Sequence, residues 1–371
     1  MSELYKVPLE IKNITGYLEE EQNFLKGFIE QLKTDIDNQS STNQKVIQDL
    51  LDELPSQIDK IYPLKEPASQ IKALQHIAQK FSTIFSELKL KDLGIKNNWI
   101  LLNDGYLGSF VHETYEISIL SYLISAVYHA SALKTVQTSL EYRYYFISAL
   151  SAIKAAIIHM EKLNPNQDHY AYPFYQMLQL RKLEIEAEIT KSEAFLARKK
   201  GDFEKASQYF AGAAAYRFSM MNFDLPDESD NRVKIFASTE LGMACFYIAV
   251  GLSNKNESEK SQYYLLKAKS YFENAAKLSE NNTELLEAAN KRLELVNPYI
   301  ERFKESIPKA SKKKIEETPD PQPLMAHPDP EPLMMPDEKL DGGIKICSSC
   351  IEKIPWDEKC PKCKELTIPL K

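Results

Sequence analysis

Four of the five cysteines in this 371-residue chain stand together near its C-terminus, as Cys347-Ser-Ser-Cys350 and Cys360-Pro-Lys-Cys363. Each Cys-x-x-Cys is a tight turn that aims two thiolates at one ion, and two such turns nine residues apart complete a tetrahedral four-sulfur site. Residues 344–371 are too few to bury a core of their own, so metal binding must supply their folding energy. Thiolate softness and a reducing compartment favour Zn2+, with a pair of disulfides or a four-thiolate iron site as the competing readings. Four protein ligands leave no open coordination position, so the metal is structural.

No other set of residues has the spacing of a catalytic centre. The six histidines, at 76, 112, 129, 159, 169 and 327, form no His-Glu-x-x-His pair and have no cysteine nearby in sequence. Cys245 lies in the apolar run Gly242–Val250 and reads as a core thiol. Gly201-Asp202 lacks any phosphate-loop context and is explained by a helix junction. Glu184, Glu186 and Glu188 read as a solvated helix face. No catalytic residue is expected, and the chain reads as a binding protein rather than an enzyme. The cysteine segment resembles the short zinc ribbons of archaeal and other microbial proteins, where Ile-Pro follows the first knuckle as Ile354-Pro355 does here; the glycines common after each knuckle are replaced by Ile351 and Lys364. Its lysines at 345, 353, 359, 362 and 364 are interrupted by Glu352, Asp357, Glu358 and Glu365, which argues against tracking nucleic-acid phosphates.

The segment that carries this ribbon is proline-rich. Pro319-Asp-Pro-Gln-Pro-Leu-Met325 repeats nine residues later as Pro328-Asp-Pro-Glu-Pro-Leu-Met334. Prolines at this density forbid helix and sheet and favour an extended chain, so residues 308–343 are expected to be a flexible linker. The duplicated Leu324-Met325 and Leu333-Met334 pairs, framed by Pro319 and Pro328, suit a short linear motif presented twice to a groove, with a duplicated tether as the alternative.

Residues 1–307 must then form the body. Eleven glycines are few for this length, which fits a helix-rich domain, and a net charge of −7 gives no general attraction for nucleic acid or an anionic membrane. No apolar run approaches the roughly 18–20 residues that span a bilayer, and the opening residues lack a signal-peptide pattern. A cytosolic protein with at most peripheral membrane contact is expected. The body is organised around Glu188–Met221, where helical periodicity stops at Lys199-Lys200-Gly201-Asp202 and restarts as Phe203, Ala206, Phe210, Ala213 and Ala214. The basic pair suits a helix end, Gly201 a left-handed stop and Asp202 the next cap. Further helices are expected over 113–132, 142–163, 169–200, 232–252, 257–278 and 284–307. Residues 4–14 read as an extended arm, residues 15–32, 46–54 and 71–88 as amphipathic helices, and residues 90–110, with Trp99 as an apolar plug, as irregular. Alanine seams between aromatic residues predict an all-α, elongated and curved solenoid-like array of hairpins similar to tetratricopeptide units.

Several stretches together resemble the BRO domain of ALIX-type adaptors, which work with the ESCRT machinery: the opening Val7-Pro-Leu-Glu-Ile-Lys-Asn-Ile14, Trp99, Tyr115-Glu116 and its helix, Tyr145–Leu163, and Ser192–Ala206. Ile117 stands where the family has lysine. The resemblance implies a non-enzymatic scaffold that binds a C-terminal helix of an ESCRT-III subunit, with the proline-rich tail recruiting a second partner. The residues best spaced for a helix-receiving patch are Phe174, Met177, Leu178 and Arg181, whose competing reading is plain core. A general tetratricopeptide-like adaptor and a nucleic-acid role through the ribbon are the alternatives.

Overall fold

The computed structural model describes residues 97–101, 106–110, 113–165, 171–225, 227–303, 318–330, 332–333, 344–347, 353–355 and 367–369, with isolated positions 49, 52, 56 and 73. The expected arm at 4–14 and the first three expected helices lie outside these residues, apart from those four positions.

The body is helical, as its periodicity predicts. Seven helices are described: α1 (Glu113–Leu133), α2 (Leu140–Glu161), α3 (Tyr172–Lys199), α4 (Phe203–Met220), α5 (Asp227–Asn254), α6 (Ser258–Leu278) and α7 (Thr283–Phe303). The expected α3–α4 junction is present. Arg198 and Lys199 occupy the last turn of α3. Gly201 takes φ 79°, and the Asp202 amide closes on the Ala197 carbonyl at 3.0 Å, the six-to-one bond that satisfies a helix end. The Asp202 carboxylate then accepts from the Lys205 amide at 3.0 Å and caps α4. Asn256, at φ 62°, plays the part of Gly201 after α5, with the Glu257 amide on the Leu252 carbonyl at 2.9 Å. Residues 90–110 are not irregular throughout: β1 (Asn97–Leu101) and β2 (Tyr106–Phe110) form an antiparallel hairpin with Trp99 opposite Gly108.

The chain divides into two compact units, with the boundary inside α3, between Lys182 and Leu183. In the unit of Leu183–Pro328, α5 packs between α4 and α6, and α7 covers α6. Its core contains Phe195, Phe210, Cys245, Tyr247, Leu265, Phe272, Val296 and Ile300, interleaved with Ala194, Ala206, Ala244 and Ala268. The alanines allow close approach, and each large side chain contributes roughly 1.5–3 kcal/mol by leaving water. Ser207 adds a hydroxyl bond to the Ala244 carbonyl at 2.7 Å, tying α4 to α5. Gly242 sits against the Phe272 ring, where a methyl group would fall 2.4 Å from a ring carbon. The Ser229–Asn254 part of α5 is long and apolar enough to cross a membrane, contrary to the expectation that no stretch would be. It is 61% buried among its neighbours, as a core helix is.

The other unit holds α1, α2 and the first part of α3. Its helices are joined by small residues: the Ser118 and Ser125 hydroxyls donate to the Ala156 and Ala149 carbonyls, both at 2.8 Å. In the C-terminal segment of the same unit, β3 (Ile344–Cys347), β4 (Lys353–Pro355) and β5 (Thr367–Pro369) form an antiparallel sheet in the order β4-β3-β5.

Candidate peptide groove and tail

The segment expected to be a flexible linker is instead seated on the helices over the described residues 318–330. Its first repeat lies in the Leu183–Pro328 unit and crosses α6, α4 and α3 in turn. At α6, the Lys267 ammonium donates to the Thr318 carbonyl and pairs with the Asp320 carboxylate at 2.9 Å. The Tyr271 hydroxyl lies 2.9 Å from both oxygens of Asp320 and donates to that carboxylate. Burial, then the bond to Asp320 and its charge, push the Tyr271 phenol well above its ordinary range, so it remains a donor.

At α4 the contact is made by backbone. Within Pro321-Gln-Pro-Leu324 the prolines supply no N–H, so the Leu324 amide is the first donor after Gln322. It donates to the Gln208 carbonyl at 2.9 Å. Four residues on, Gly212 makes room for it. A Cβ there would fall 2.2 Å from the Leu324 carbonyl oxygen and 2.7 Å from its carbonyl carbon, closer than real atoms approach. One further turn along, the Tyr216 hydroxyl donates to the Ala326 carbonyl at 2.9 Å and stands 3.1 Å from His327 Nδ1. Gln208, Gly212 and Tyr216 thus form one stripe at spacing four. On α3, the Thr190 hydroxyl accepts from the Ala326 amide at 3.3 Å. Pro321 and Pro328 are buried, Leu324 and Met325 half-buried, and Pro319 exposed.

The second repeat makes corresponding contacts within the other unit. Asp329 pairs with Lys154 of α2, whose ammonium also lies 3.4 Å from the Pro330 carbonyl. The hydrogen bond and charge of Lys154 hold the Asp329 carboxyl below its usual range. The Leu333 amide donates to the Ser151 carbonyl of α2 at 3.0 Å, and Leu333 is half-buried. Met334 lies outside the described residues.

The expected helix-receiving stripe is placed differently. Phe174, Met177, Leu178 and Arg181 are 0, 2, 0 and 4% exposed, so the stripe faces the interior rather than solvent. Phe174 meets Tyr122 of α1 edge to face at 6.0 Å. Glu188 is likewise not on a solvated face. It is buried in an ion network with Arg217 of α4 and Lys191, while Glu240 of α5 lies on the other side of Arg217. Cys245 is a core thiol, 0% exposed, and burial pushes its pKa up.

Of the expected metal ligands, Cys347 ends β3 and pairs in register with Thr367; Cys350, Cys360 and Cys363 lie outside the described residues. An all-thiolate donor set in this pattern fits a structural zinc ion.

No protein-family model and no curated protein matches the sequence. Solved structures do match the fold. The chain superposes on the ALIX BRO1 CHMP4C complex with TM-score 0.59 at 12% identity, covering 89% of this chain and 96% of that one. It matches ALIX in complex with the SIVmac239 PYKEVTEDL late domain with TM-score 0.61 at 10% identity, over 80% of this chain and 46% of that one. A structure described as the basis for endosomal targeting by the Bro1 domain matches with TM-score 0.56 at 12% identity, over 83% and 89%. The helical body has the BRO-domain fold.

Proposed function

We propose that this chain is a non-enzymatic adaptor of an ESCRT system, whose helical body binds a helix of an ESCRT-III subunit. The observation that carries this reading is the BRO-domain fold, which a complex with CHMP4C shares. The helices supply the surface that receives the partner, and the tail recruits a second protein. The ribbon holds one Zn2+ on Cys347, Cys350, Cys360 and Cys363, and the protein works in the cytosol, meeting membranes peripherally. The buried stripe of Phe174, Met177, Leu178 and Arg181 helps to shape α3, and the partner helix docks on solvent-facing positions of the body.

Fluorescence anisotropy of the full chain with labelled C-terminal peptides of ESCRT-III subunits from the same genome tests the reading. Saturable binding with a dissociation constant on the order of micromolar is expected. Absence of saturation, both for the natural chain and for a variant whose first tail repeat has been dislodged, removes it.

A further inference from the structure

The two tail contacts share one recognition chemistry. In each repeat the aspartate pairs with a lysine of the body, Asp320 with Lys267 and Asp329 with Lys154. Four residues later, in each, the leucine amide donates to a mid-helix backbone carbonyl, Gln208 for Leu324 and Ser151 for Leu333. Both leucines follow proline, so the amide used is the one that the proline frame leaves available. We propose that the helical body carries a binding site for extended Asp-Pro-x-Pro-Leu peptides, made by Lys267, Tyr271, Gln208 and Gly212 with Tyr216 and Thr190 beyond it. The chain's own first repeat is the resident ligand, and α2 reads the second repeat by the same rule.

The site selects on three grounds. A lysine and a phenol take a carboxylate at one end. A helix carbonyl, with a lone pair left after its own intrahelical bond, takes a single amide at the middle. Gly212 admits a peptide backbone where any larger residue would exclude it. Extended proline-rich peptides lose little conformational freedom on docking, which suits a shallow site of this kind. The proposed site and its resident repeat lie within the Leu183–Pro328 unit, and the inference is independent of the partner-helix reading.

Gly212→Ala and Leu324→Pro in the full chain provide the test. Alanine is the better helix former, and the three atoms nearest its methyl group are all tail backbone atoms, so Gly212→Ala should leave α4 intact while excluding the tail. Leu324→Pro removes the amide donor without touching the body. In the natural chain the Leu324 amide should exchange slowly with solvent. In Gly212→Ala it should exchange at least about tenfold faster, while Leu333 and the helix amides keep their rates. A labelled PDPQPLMAHP peptide should bind the Leu324→Pro chain at least about tenfold more tightly than the natural chain, because a tethered competitor acts at roughly millimolar effective concentration. The Gly212→Ala/Leu324→Pro double variant should not bind it. An unprotected Leu324 amide in the natural chain, equal peptide affinity for the natural and Leu324→Pro chains, or undiminished binding by the double variant overturns the proposal. An ESCRT-III peptide that fails to bind leaves all three readouts unchanged, so the two readings fail separately.

Discussion

Replacing Arg217 with methionine should strand a buried carboxylate, and the structure indicates which one. The Arg217 side chain is 2% exposed, that of Glu240 5% and that of Glu188 12%. Glu188 keeps a second cation, Lys191, at 2.5 Å. Glu240 is ion-paired to Arg217, whose Nε lies 3.5 Å from Oε1; its Oε2 has no hydrogen-bond partner, and Lys191 acts on it only as a more distant charge. Burial opposes the charge on Arg217, but the carboxylates of Glu240, Glu188 and Glu184 outweigh it and raise the guanidinium pKa. Burial pushes the Glu240 carboxyl up, with Arg217 opposing that rise. Arg217→Met fills similar space but leaves Glu240 buried without its ion-pair partner, and it loses the stacking of Arg217 on Phe236 at 5.2 Å. Breaking one side of a buried pair costs about 3–5 kcal/mol, which in a unit of this size lowers Tm by roughly 6–20 °C. Glu240 then prefers to bind a proton in the folded state. An acid with a raised folded-state pKa contributes stability below its unfolded value and loses that contribution as pH rises through the folded one. The deficit of Arg217→Met relative to the natural protein should therefore shrink on acidification from pH 7 to pH 5. Arg217→Met/Glu240→Leu should recover most of the loss at pH 7, because an apolar pair needs no compensating charge. Urea midpoints at both pH values decide the matter. A deficit under about 1 kcal/mol at pH 7, or one that does not shrink with acid, refutes the assignment of Glu240 as the stranded group.

Metal removal and pH give two more expectations. The purified chain should carry one zinc ion, and chelation should release amide protection in β3–β5 while helical circular dichroism changes little; protected strands after complete metal removal, or iron in the site, would contradict this. His159 is held down at about 4, by burial and then by the Lys162 charge. The unfolded chain therefore takes up a proton there first as pH falls below about 6.5, so this contribution is complete above that value and is lost toward pH 4. Solvent screening at the partly exposed ring keeps the slope below one proton's full share. His159→Gln should flatten the urea midpoint across that window, and an unchanged pH profile would exclude the ring as its source.

Helix ends were legible in the sequence because their signals are local. Lys199, Gly201 and Asp202 act within one turn of where they stand, and the α3–α4 junction follows. Partners across the fold were not legible. Periodicity identified a stripe at Phe174, Met177, Leu178 and Arg181, but whether a stripe meets solvent or neighbours depends on helices distant in sequence, and Phe174 meets Tyr122. Glu188 failed in the same way, since its cation Arg217 lies on the next helix. In residues 97–110 the two strands are only five residues each, and their alternation is too brief to separate from irregular chain.

The tail shows a different gap between composition and structure. Over the described residues 318–330 the proline-dense chain forms neither helix nor sheet, yet it does not follow that such a segment stays free. A polyproline-like chain is already extended, so docking it removes less entropy than docking an ordinary linker of equal length. Prolines also remove donors, so fewer polar groups need partners when Pro321 and Pro328 are buried. What remains is a carbonyl-rich extended chain with occasional amides, and the helices meet it with side-chain donors, Lys267, Tyr271 and Tyr216 among them, and with two helix carbonyls, of Gln208 and Ser151. The duplication in the sequence therefore marks where the donors fall, at Leu324 and Leu333, as much as where the apolar side chains do.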